Sequence, residues 1–84
     1  MHDPMAPALT WKMFSGGRLL MAAAVIGYFE MEPGERFRHV RVDRHGVHVT
    51  DLGPCSEGAL ADCMATCEDY QRTRLSDELR HKLP

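Results

Sequence analysis

The sequence predicts an α+β fold: an antiparallel sheet of four to five strands packed against one long C-terminal helix. Three observations carry that expectation. Residues 9 to 50 fall into short apolar runs, broken again and again by glycine-bearing turns. The stretch FRHVRVDRHGVHVTD, residues 37 to 51, alternates valine with polar residues on either side of a four-residue turn signal. From Leu60 to Leu79 the pattern changes, and apolar residues recur every three or four positions, as they do on one face of a helix.

Taken in order, MHDPMAP at residues 1 to 7 holds two prolines and no pattern, and reads as a loose tail; residues 8 to 84 form a single small domain. ALTWKMF then reads as a short strand with Leu9, Trp11 and Met13 on one face. SGG at 15 to 17 is a turn, because glycine accepts the positive φ that tight hairpins need. RLLMAAAVIGYFEME has two readings. Alanine, leucine and methionine favour helix, whereas Val25, Ile26, Tyr28 and Phe29 favour strand. Flanking turns and the lack of a helix cap favour a strand from about 18 to 23, an irregular step near Gly27, and a second strand from Gly27 to Glu32; one helix over 18 to 30 is the alternative. EPGE at 32 to 35 is a turn, and DRHG at 43 to 46 closes the hairpin. Ser56 is placed to cap a helix, with Glu57 in its first turn. That helix runs to about Arg80 along a stripe of Leu60, Met64, Cys67, Gln71, Leu75 and Leu79. Cys63 lies beside the stripe, and Arg80, His81 and Lys82 sit at the far end.

With 84 residues the chain supports one sheet and one helix and little more. Its hydrophobic content of 44% is too high for a disordered chain. A net charge of -2 excludes a generally basic nucleic-acid binder, but the charge is split. Between Arg36 and His48 there are four arginines against Asp43 alone. Between Ser56 and Tyr70 there are four acids, Glu57, Asp62, Glu68 and Asp69, and no base. The longest apolar run, LLMAAAVIGYF, covers eleven residues, where a membrane helix needs roughly 20. With three cysteines, an odd number, and no secretory leader, we expect reduced thiols in a cytoplasm and no membrane association.

Trp11, Gly16-Gly17, GYFEM at 27 to 31 and ALADCMATCEDYQRTRL at 59 to 75 follow one another in an order that resembles small proteins encoded by bacteriophages and prophages. In these, a tryptophan, a GG turn, a G-[YF]-x-[IVM] strand and a hairpin precede a helix of the type EAKAACEADYxRRL. The resemblance spans about residues 9 to 80 and rests on core and turn positions. It departs at Gly58, which weakens the first helical turn, and at Cys63 with Cys67, which enrich the helix in thiols. Some proteins of this size, anti-CRISPR proteins among them, bind and block a host defence complex. The resemblance therefore implies a non-enzymatic inhibitor whose partner is a host protein or ribonucleoprotein complex; the chain is expected to be a monomer or homodimer, and a homodimer built on an exposed sheet edge, with no separate ligand, is a further reading.

The candidate contact residues fall in two groups. Arg36, Arg38, His39, Arg41, Arg44 and His48 make the hairpin basic, and Asp62, Glu68 and Asp69 make the helix acidic. If Val40, Val42, Val47 and Val49 face the helix, then His39, Arg41, His48 and Thr50 face water. Arg36 and Arg38, of the valine parity, then lie beyond the edge of the core. A basic two-stranded ribbon can enter a DNA groove, as in the phage integrase arm-binding domains that the chain also loosely resembles; no aromatic side chain interleaves with the bases here. Acids along a helix can imitate a phosphate backbone, although ordinary solvated helix surface is the simpler account of them. Cys55, Cys63 and Cys67, with His39 or His48, have the residue types of a zinc site, but C-x7-C-x3-C is not a common zinc spacing. Cys63 and Cys67 lie on or beside the apolar stripe and read as core thiols; Cys55, just before the helix start, is the best placed for a nucleophile, but so short a chain has no room for a cleft that buries a substrate, so we expect no metal, no cofactor and no catalytic residue.

Overall fold

A computed structural model describes residues 9–75 and Asp77. Five strands form one antiparallel sheet in sequential order: β1 (Lys12–Phe14), β2 (Leu19–Ala23), β3 (Tyr28–Met31), β4 (Arg36–Asp43) and β5 (Gly46–Pro54). A 3-10 turn over Glu57–Ala59 leads into helix α1 (Leu60–Tyr70), which continues as a π-turn over Gln71–Leu75. The expected α+β class is what forms. The expectations for residues 1 to 7 and for a helix reaching Arg80 fall outside the described residues.

The residues read as strand or helix are strands. β2 and β3 pair through Ala22 with Phe29 and Ala23 with Tyr28, and the Ala24 N–H donates to the Gly27 carbonyl at 3.1 Å to close the turn between them. Gly27 has φ of 71°, which explains why a glycine interrupts so apolar a run. Two boundaries differ from expectation. β1 is three residues rather than seven, so Met13 is exposed, while Leu9 and Trp11 pack against the core from outside the strand. Ser56 makes no side-chain capping bond; the α-helix begins at Leu60, after the tighter turn that holds Gly58.

The core joins Leu20, Phe29, Met31 and Phe37 of the sheet to Cys63, Cys67 and Leu75 of the helix, with Cys55 between them. Phe29 and Met31 are fully buried, each worth about 2–3 kcal/mol of apolar burial. Gln71 is buried as well, and its side-chain oxygen accepts the Val25 N–H at 2.8 Å, tying the helix to the β2–β3 turn.

Register decides which face of the hairpin meets the helix, and it overturns the sequence reading. Phe29 lies opposite His39, and Met31 lies opposite Phe37. Burying Phe37 therefore turns the odd-numbered residues of β4 inward, since successive side chains on a strand alternate. His39, expected in water, is 3% exposed. Val42, Val47 and Val49, expected in the core, are 63%, 65% and 58% exposed on the opposite face. Val40 is buried, but it lies cross-strand from Tyr28 and Val49 on that outer face. A single aromatic ring, together with the register it imposes, outweighs the four valines.

Candidate interaction surface

β3 ends opposite Val40, whereas β4 and β5 continue pairing through Arg41 with His48, Val42 with Val47 and Asp43 with Gly46. The hairpin thus projects past the rest of the sheet as a two-stranded arm. Gly27 braces its root: a Cβ at that position would stand 2.1 Å from the Val40 carbonyl oxygen. The arm's tip is held by Asp43, whose Oδ1 accepts the His45 N–H at 2.7 Å and lies 3.3 Å from His48 Nε2. The His45 amide, more than His48, holds the Asp43 carboxyl below its ordinary pKa.

The outer face has two zones. Below the arm, arginines and acids neutralise one another. Arg36 grips Asp51 with Nε at 3.0 Å from both carboxylate oxygens and a terminal nitrogen at 2.6 Å from Oδ2. This raises the pKa of the guanidinium and lowers that of the carboxyl. Arg38 hydrogen-bonds Glu32 and reaches Glu30 at 3.4 Å. Its pKa is raised, chiefly by Glu32. Above this zone, on the arm, Val42, Val47 and Val49 form an exposed apolar surface.

The inner face of the hairpin meets the end of the helix. His39 Nε2 lies 2.6 Å from the Ile26 carbonyl oxygen, so this nitrogen carries the proton and donates it. Its ring packs on Phe29 at 5.0 Å and on Tyr70 at 5.4 Å between centroids. His39 is therefore a core residue. Arg41, His48 and Thr50 share its face of the hairpin and line, with Tyr70 and Leu75, a cleft of about 160 Å³. Arg44 is exposed at the turn.

The six basic candidates are thus dispersed. Arg36 and Arg38 are neutralised on the outer face, His39 is buried, Arg41 and His48 flank the inner cleft, and Arg44 marks the tip. The helix acids do not assemble into one surface either. Asp62 is exposed in the first turn of α1, Glu68 is half-buried, and Asp69 lies 3.6 Å from Arg72 one turn on.

All three cysteines are free and buried. Burial, followed by the neighbouring Cys63, pushes the Cys55 thiol up to about 11, and burial pushes Cys67 up to about 12. Cys55 and Cys67 are thus held protonated in the core, the opposite of an activated nucleophile. Among the described residues no three histidine, cysteine or acidic side chains are grouped to hold a metal, and no helix is long and apolar enough to cross a membrane.

The sequence reading missed Glu30, Glu32 and Asp51 as counter-charges. The turn signal at 32 to 35 did not fix this pairing: the Glu32 N–H donates to the Arg36 carbonyl at 3.0 Å, and that three-residue loop over 33 to 35 is what sets Glu30 opposite Arg38. Counting from the DRHG turn likewise sets Asp51 opposite Arg38, one diagonal step from Arg36, which is the arginine that grips it. Comparison with protein-family models, with curated proteins and with solved structures gave no match.

Proposed function

We propose that this chain is a non-enzymatic binding protein that docks on a protein partner through the outer face of the β4–β5 arm. One observation carries the reading: Val42, Val47 and Val49 are more than half exposed on a projecting ribbon, while the arginines next to them are already paired with acids. Contiguous exposed apolar groups rimmed by charge suit a protein interface. They contribute nothing to phosphate binding, and a guanidinium engaged by carboxylates has less to offer a phosphate.

The resemblance to small phage and prophage proteins directs the choice of partner. A host defence complex in the bacterial cytoplasm is the partner to test first, and inhibition of CRISPR interference is the sharpest form of the proposal. The test is phage challenge of a host that carries active interference and expresses the chain. Restored plaquing is the expected result, with loss of that effect in a folded Val42→Glu, Val47→Glu variant. Nuclease-resistant recovery of a discrete complex by the tagged chain, abolished by the same variant, supports the docking surface independently. Unchanged plaquing removes the defence reading, and equal recovery by the variant removes the valine surface.

A second reading is DNA binding through the same hairpin, favoured by Arg44 and His45 exposed together at the tip. It requires association that weakens steeply with salt. Salt-insensitive recovery of a partner, or no DNA binding at low salt, removes it.

A further inference from the structure

Among the described residues the sheet has two open edges, and they are not alike. β1 is three residues long and carries Lys12, two features that keep an edge from pairing with another chain. β5 is nine residues long, and from Gly46 to Asp51 it has neither proline nor lysine to obstruct pairing. Its far end bends away: the bulge between Phe37 and Arg38, and Gly53 with φ of 128°, break the line of the strand. The straight, unprotected segment is therefore Gly46–Thr50, and its midpoint is His48.

We propose that a second copy of this chain pairs along that segment, β5 to β5 and antiparallel, about a two-fold axis through His48. The result is a continuous ten-strand sheet. Registers that keep each face intact shift the two strands by whole residue pairs. Centring on His48 sets Val47 opposite Val49 of the other copy, twice over, whereas centring on Val47 would set Val49 against His45 of the turn. Centring on Val49 would oppose Val47 to Asp51, and centring on Thr50 would oppose Val49 to Asp51, placing an apolar group against a carboxylate in each case. Only the His48 register opposes both valines of each copy to valines of the other, as a self-complementary interface between identical copies requires. The valines of two arms then join into one band on the outer face. That band stays uncovered, so pairing does not compete with a partner docked there. The paired segment is short for a stable interface, so association will depend on concentration.

Sedimentation equilibrium of the full chain, taken from roughly 1 µM to 1 mM to span a small interface, tests the association. We expect a reversible shift from the mass of one chain to that of two. Val47→Lys with Val49→Lys, both at exposed positions, should hold the chain at one mass while circular dichroism stays unchanged. Crosslinking tests the register. Directly opposed residues have Cα atoms about 4.5–5.5 Å apart, within disulfide range. His48→Cys should therefore oxidise to a covalent dimer. Thr50→Cys should not, because its two copies would stand about 14 Å apart along the strands. One mass at every concentration overturns the proposal, as does crosslinking of Thr50→Cys in place of His48→Cys. Pairing of β5 only with a strand of a different protein also overturns it.

Discussion

Replacing Gly27 with alanine should destabilise this protein far more than the same change at Gly16, although the two glycines have nearly the same backbone geometry. Their φ values are 71° and 67°. A left-handed conformation costs an alanine about 1–2 kcal/mol at either site. At Gly16 the new methyl meets nothing within 4 Å, so that is the whole cost. At Gly27 it meets the Val40 carbonyl oxygen at 2.1 Å, the Val40 carbonyl carbon at 3.0 Å and the Arg41 Cα at 3.1 Å. All three are backbone atoms of β4, so no side chain can swing aside. Relief requires the turn and the strand to part by roughly 1 Å, and overpacking of this kind costs about 1–3 kcal/mol more. The total for Gly27→Ala is about 2–5 kcal/mol. An 84-residue domain has about 4–13 kcal/mol in all. Urea unfolding followed by the fluorescence of Trp11, whose ring lies 6.5 Å from Phe29, reads both variants. With a slope of about 1 kcal/mol per molar urea, the midpoints of Gly27→Ala and Gly16→Ala should differ by about 1–3 M. Agreement of the two midpoints to within about 0.3 M would refute the close approach of the turn to the root of the arm, because such a gap is no larger than unfolded-state effects.

The buried thiols predict how stability responds to alkali. The Cys55 and Cys67 pKa values are raised above the ordinary 9.0, to about 11 and about 12. The unfolded chain therefore loses these protons first, so their contribution is intact below pH 9 and lost as pH rises through 11 to 12. The urea midpoint should fall across that window, and a Cys67→Val variant should fall less; equal slopes would contradict the assignment. The acids on the outer face predict a gain of function. Glu30→Gln, Glu32→Gln and Asp51→Asn together release Arg36 and Arg38, so retention on a DNA column at low salt should increase. Unchanged retention would mean that these pairs do not mask the arginines.

Much of this molecule can be read from residue types and their spacing. Gly16-Gly17, Pro33-Gly34 and the DRHG segment mark three of the four connections within the sheet, because only a few residues fit such turns. The stripe from Leu60 to Leu75 announces the helix that covers it, because helical periodicity is a local property. The thiols of Cys63 and Cys67 read correctly as core for the same reason. Across the ambiguous run from Arg18 to Glu32, the flanking turns and the missing helix cap pointed to strands; that Gly27 turns the chain with a positive φ is known only from the structure.

What local pattern could not supply was the face of the hairpin. Phe37 and Val40 have opposite parity, so an unbulged strand can send only one of them to the helix, and both choices look equally reasonable along the chain. Pairing with β3 decides the matter by setting Phe37 beside Met31 and His39 beside Phe29, contacts between residues well separated in sequence. That choice buries a histidine, exposes three valines and brings Arg36 and Arg38 to acids on neighbouring strands. The sequence alone determined the class of fold, the turns and the thiol core. The tertiary register decided which residues remain at the surface for a partner, because burial on a sheet is settled by whole faces rather than by residues one at a time.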